Sequence, residues 1–167
     1  MRVIYDGVSI GDYLRVIPGA ISFKGGVSAT ASGKHRFADL KTQCATKLIE
    51  LIDEKIISIE RSVAERLYLH QNIKQRMTIR DQIVNELGVL RYDKPMPSGK
   101  LKLINKRIMT RMLGKGLSTD IMDNFIMRMY PALNLNAVIL NNKDLRDSIH
   151  RGKVSDEYVE LDDFLNW

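Results

Sequence analysis

The stretch Lys100–Tyr130, KLKLINKRIMTRMLGKGLSTDIMDNFIMRMY, decides how this chain is read. Leu101 and Leu103 flank Lys102, and Ile104 follows, which predicts a short strand. A short helical run comes next and is broken by Gly114 and Gly116. Ser118-Thr119-Asp120 then opens a helix whose Ile121, Met122, Phe125, Ile126 and Met129 recur at steps of three and four. Asp120 therefore stands at a helix mouth, with Asp123 one turn further on. Two readings compete there. As a cap, Asp120 accepts an unpaired helix-start N–H, and Asp123 faces the positive end of the dipole. As a ligand, Asp120 points into a metal site. Lys100, Lys102, Lys106, Arg107, Arg111 and Lys115 precede it with no acid among them, and a carboxylate ending a basic run suits a site that handles phosphate.

The whole chain of 167 residues fits one domain with a real core. At 44% hydrophobic and 28% charged it has the composition of a folded globular chain. No apolar run approaches the roughly 20 residues that span a bilayer, and the first residues carry no signal-peptide pattern. The single cysteine, Cys44, excludes an internal disulfide, and with three scattered histidines it offers no zinc-ligand spacing. Cys44 falls on an apolar helix face and reads as core. The net charge of +6 conceals an asymmetry, because residues 154–167 hold five acids and no Lys or Arg. The remainder keeps 26 basic and 15 acidic residues, a net +11. A basic body points to a polyanion, nucleic acid first, and the acidic end reads as a counter-charge competing for that face. The competing account is a solvated surface on a merely basic protein.

Residues 2–5, RVIY, predict a strand, and Asp6-Gly7 a turn after it. Ala20 to Phe23 predict a second strand. The polar run GGVSATASGKHR that follows has no helix or strand period. Phe37 to Asp53 form a helix with Phe37, Leu40, Cys44, Leu48, Leu51 and Ile52 on one face. Ile56 to Ile59 read as extended. One long helix is expected from Ser62 to about Leu87, stopped by Gly88. Val89 to Tyr92 then read as a strand, and DKPMPSG as a turn before the strand at Leu101 to Ile104. Lys143 to His150 suggest a short helix before the acidic end.

Taken together, LKLINK, MTRMLGKG and STDIMDNFIMRM resemble the last motif of the nuclease domain of phage terminase large subunits. That motif is a strand, a lysine-bearing helix and a Ser-Pro-Asp-x-x-Asp-Ala-like turn into an apolar helix. Thr119 stands here in place of the proline and Asn124 in place of the alanine. YDGVSIGDYL is similar to the family's acid-ended strand, FADLKTQCATKLIELI to its sheet-packing helix, and QIVNELGVLRYDKPMPSGKLKLINK to its helix and hairpin. The resemblance runs from about residue 2 to residue 130. It implies an α/β fold, a ribonuclease H-like mixed sheet flanked by helices, with residues 1–130 as nuclease module and 131–167 as an extension with an acidic tail.

By the same resemblance Asp6 and Asp120 are catalytic metal ligands, with Asp123 supporting them. Lys100, Lys102, Lys106, Arg107, Arg111 and Lys115 would contact DNA, Lys106 and Arg107 foremost. The implied cofactor is Mg²⁺ or Mn²⁺, because two such ions about 4 Å apart activate water and stabilise the leaving oxygen, and hard carboxylates hold them. The implied partners are double-stranded DNA and the rest of the terminase, the portal or the small terminase subunit, with no membrane, in the host-cell cytoplasm. The family's first metal-binding aspartate lies on a strand upstream of the one ending at Asp6. The expectation is therefore that the fold is incomplete at its N-terminus, and that the site is completed by a partner chain or dead. There is also no Gly-rich Lys-Ser/Thr phosphate loop, so the packaging ATPase is absent. The alternative is a non-catalytic nucleic-acid-binding or assembly protein that keeps fold and basic face.

Overall fold

The first helix, α1 (Leu40–Asp53), starts where Asp39 can satisfy an orphan donor: its carboxylate accepts the Thr42 N–H at 2.8 Å. It ends in a Schellman turn. The N–H groups of Lys55 and Ile56 donate to the Ile52 and Leu51 carbonyls, and Lys55 takes the left-handed conformation, φ 57°, more often held by glycine. These details come from a computed structural model that describes residues 4–7, 17–18, 20–68, 77–114, 116–139 and 158–160. Phe37, expected inside α1, lies before it and bridges Leu101 in parallel.

The architecture is mixed α/β. Strand β1 (Ile4–Asp6) pairs in parallel with β2 (Ile21–Phe23), placing Asp6 beside Phe23. Strand β3 (Ser58–Glu60) pairs antiparallel with β4 (Tyr158–Glu160). Among the described residues these are two separate two-stranded sheets. The expected hairpin is present as a pair of extended segments: Tyr92 bridges Leu103, and the Asp93 and Ile104 N–H groups donate to Lys102 and Arg91.

The long helix expected from Ser62 to Leu87 is instead two helices, α2 (Arg61–Ala64) and α3 (Ile79–Gly88). Leu67 and Thr78 pair between them as an antiparallel bridge. The physical reason is a capping box: Thr78 Oγ1 accepts the Asp81 N–H, and the Asp81 carboxylate accepts the Thr78 N–H. A helix start of that kind leaves the preceding residues outside the helix. Helix α4 (Lys106–Leu113) is capped by Asn105 and closed by Gly114 at φ 101°, a conformation costly for any residue with a Cβ. Helix α5 (Asp120–Ile139) runs on through Pro131, which has no N–H to give the preceding turn. No helix of the described residues is long and apolar enough to cross a membrane. The helix suggested at Lys143 to His150 lies outside the described residues.

The core sits where α1 meets α5. Cys44, Ala45 and Leu48 of α1 are fully buried, as are Ile126 of α5 and, nearly so, Met122, Met109 of α4 and Ile83 of α3. Burial pushes the Cys44 thiol up to about 12, so it stays neutral, as a core residue should. Two buried threonines on α1 sew the hairpin to this core. Thr42 Oγ1 accepts the Leu103 N–H at 3.1 Å, and Thr46 Oγ1 bonds the Tyr92 hydroxyl at 2.7 Å. The first satisfies a backbone N–H that would otherwise be costly to bury. Losing a side chain such as Leu48 from this core should cost about 2–5 kcal/mol.

Candidate functional site

Asp6 ends β1, and the next N–H, of Gly7, donates to the Phe23 carbonyl at 2.8 Å, holding the strand end against β2. Beyond β2 the chain turns through Gly25, whose carbonyl accepts the Lys41 N–H at 2.9 Å. That bond sets the first turn of α1 beside the strand ends. The polar loop that follows is fastened by Gln43: its Oε1 accepts the Thr30 N–H at 2.8 Å, and its Nε2 donates to Thr30 Oγ1 at 2.7 Å. A Cβ at Gly33 would overlap the Gln43 amide, so a larger residue there would have to displace that side chain.

The mouth of α5 faces this region. The Thr119 carbonyl accepts the Asp123 N–H, so Asp120 is already the first helical residue. The capping role expected of Asp120 is taken in part by another helix: Glu86 of α3 accepts the Met122 N–H on Oε2 at 2.7 Å. Asp120 and Asp123 instead meet lysines. Lys106 Nζ lies 3.0 Å from Asp120 Oδ1 and 2.6 Å from Asp123 Oδ2. Lys41 Nζ lies 2.6 Å from the other oxygen, Asp123 Oδ1. Ser118 Oγ donates to Asp120 Oδ2 at 2.6 Å, and Thr119 Oγ1 to Asp123 Oδ2 at 3.3 Å. Burial alone would lower the Lys106 pKa, but its bonds to Asp123 and Asp120 outweigh that and hold it above the ordinary lysine value.

Asp6, Lys41, Lys106, Asp120 and Asp123 line one cavity of about 750 Å³, with Phe23, Ile126 and Met127 as its apolar wall. The donor set suits a hard divalent cation, since carboxylate oxygens are what Mg²⁺ and Mn²⁺ prefer. The Lys106 ammonium is the telling feature, because it shows that Asp120 and Asp123 converge on one cation-sized point. Among the described residues no three Asp, Glu, His or Cys side chains gather tightly enough to hold an ion. Asp120 and Asp123 thus share one ammonium, with Asp6 on the wall of the same cavity.

Of the predicted DNA contacts, only Lys106 lines this cavity, and it is committed to the aspartates. Arg107 and Arg111 are exposed one turn apart on α4, Lys102 is exposed on the hairpin, and Lys100 is half-buried. Lys115 lies outside the described residues. Lys41 was missed, having been read as part of a core-packing helix. A signal was present: Lys41 is the second residue of its helix, where the dipole disfavours a cation, so it needs a partner. Glu86 was missed because it was read only as part of one long helix from Ser62 to about Leu87. Compared with known proteins, the chain matches no family model, no curated protein and no solved structure.

Proposed function

We propose that this chain is a metal-dependent endonuclease module of the kind found in phage DNA-packaging terminases, on a ribonuclease H-like fold, acting on double-stranded DNA. What supports the reading most is that Asp6, Asp120 and Asp123, singled out as ligands from sequence, line one cavity, with two of them focused on a single cation. Asp120 and Asp123 would hold Mg²⁺ or Mn²⁺, and Asp6 would approach from β1. Bound there, the ions supply activation of water and stabilisation of the leaving phosphate oxygen. Lys41 keeps Asp123 oriented through Oδ1. Arg107, Arg111 and Lys102 provide exposed cations for the DNA backbone. The remaining partners of this reading are the rest of the terminase, the portal or the small terminase subunit, in the host-cell cytoplasm.

The test is nicking of supercoiled plasmid with Mn²⁺ or Mg²⁺. Cleavage by the chain alone is expected to be weak or absent, to rise with the metal when an acid-bearing strand is supplied, and then to disappear in Asp120→Asn, with circular dichroism unchanged. Cleavage that survives Asp120→Asn would sink the assignment. A second reading is favoured by the lysines themselves: both carboxylates already have cation partners, which suits a nucleic-acid-binding protein without catalysis. Salt-sensitive DNA binding with no Mn²⁺-dependent nicking and no Mn²⁺ binding would select it.

A further inference from the structure

Resting on the metal-site reading above, we propose that Lys106 is an internal surrogate for the divalent cation, displaced from Asp120 and Asp123 when the ion binds, while Lys41 remains on Asp123. The two lysines are not equivalent. Among the described residues Lys41 bonds Asp123, through Oδ1. Lys106 touches the other oxygen, Oδ2, and is the one that bridges to Asp120. An ion shared by the two carboxylates would therefore take the place of Lys106 and leave the Lys41 contact intact.

Their anchoring differs in the same sense. Lys41 belongs to the best-buried helix of the core, and its side chain is 28% exposed. Lys106 is the first residue of α4, and its side chain is 47% exposed, so its ammonium has a short path to water. A lysine head is a compact, strongly hydrated charge on a flexible stem, suited to leaving. The local charge supports the exchange. Without Lys106 the two aspartates and Lys41 carry a net −1, a charge that favours a cation in its place. The released ammonium stays beside Arg107 at the start of α4. There it can take a phosphate oxygen of the DNA, which couples backbone contact to metal loading.

The test uses the full chain, Mn²⁺ as the probe, and two readouts. The first is acetylation of individual lysines by an amine reagent, followed by mass spectrometry. Saturating Mn²⁺ is expected to speed modification of Lys106 and to leave Lys41 protected. The second is calorimetric Mn²⁺ affinity of the wild type, Lys106→Gln, Lys41→Gln and Asp120→Asn. Losing the internal competitor should tighten Mn²⁺ binding in Lys106→Gln by up to about fivefold, the upper size of one exposed ion pair. Lys41→Gln should change it less, because through-space charge alone would move both variants alike. If Mn²⁺ binds and Asp120→Asn abolishes binding, yet Lys106 reactivity is unchanged or the two lysine variants shift equally, displacement is wrong and the metal site stands. If Mn²⁺ binds neither the wild type nor Lys106→Gln, the metal site itself is wrong. The labelling on the wild type decides the matter even where a variant fails to fold.

Discussion

Glu86 is fully buried, and its carboxylate rests on the Gln82 amide at 2.6 Å and the Met122 N–H at 2.7 Å. Burial raises its pKa, the two hydrogen bonds pull it back, and the charges of Asp120 and Asp123 push it up again, leaving it above the ordinary carboxylate value. Tyr68 feels the same cluster, its pKa raised by burial and then by Glu86 and Asp120. The sign for stability follows. The native state holds the Glu86 proton more tightly than the unfolded chain does, so this group favours folding most in acid. Its contribution falls as pH climbs from the ordinary value through the raised one. Glu86→Gln removes the titration and can offer an N–H to Gln82 Oε1, which is buried without a partner. The variant is expected to gain on the wild type as pH rises from about 4 to about 8. Urea unfolding at several pH values measures the gap, and a gap independent of pH would refute the account.

At the scale of elements, helix starts carry most of the design. The Thr78–Asp81 box begins α3 and so places Gln82 and Glu86 behind the site. Thr78→Ala should cost about 1 kcal/mol, the usual worth of such a cap, read as a lower denaturation midpoint. The bonds from Thr78 hold the Asp81 pKa below its ordinary value. That contribution is present above the ordinary carboxylate value and is lost as pH falls through the lowered one. The penalty for Thr78→Ala should therefore shrink in acid, and a penalty that grows there would contradict the box. Two other helix starts are loaded against the dipole: Lys41 is the second residue of α1 and Lys106 the first of α4. Both are answered by aspartates at the mouth of α5, where the dipole favours an acid. Three helix ends thus meet with complementary charge.

For the whole molecule, the described part of the acidic end, Tyr158–Glu160, pairs with β3 and lies against α2. The body keeps its net +11 when residues 154–167 are set aside. Deleting those residues removes five acids and uncovers the edge of β3. Two consequences are expected together: a lower thermal midpoint from the lost pairing, and, on the nucleic-acid reading, tighter DNA binding that weakens more steeply with salt. Salt-titrated binding of the full and shortened chains, with folding followed by circular dichroism, checks both. A shortened chain that stays folded and binds no more tightly shows that the tail does not compete for the basic face.

The sequence alone determined what depends on near neighbours. The 3.6-residue period of Ile121, Met122, Phe125, Ile126 and Met129 marked α5, the alternation around Leu103 marked a strand of the hairpin, and Cys44 was legible as core. Asp120 and Asp123 stood out as acids at a helix mouth, whereas Asp6 was picked out only through the terminase resemblance. The break of the long helix was written in Thr78 and Asp81, but a continuing apolar pattern masked it. Only the tertiary structure decided who partners whom. Lys41 and Asp123 are 82 positions apart, and Lys106 and Asp120 are 14 apart. A charge carries no address in sequence, since any lysine can pair with any aspartate. It is the packing of α1 against α5 and the caps that start α4 and α5 that bring these four side chains to one cavity.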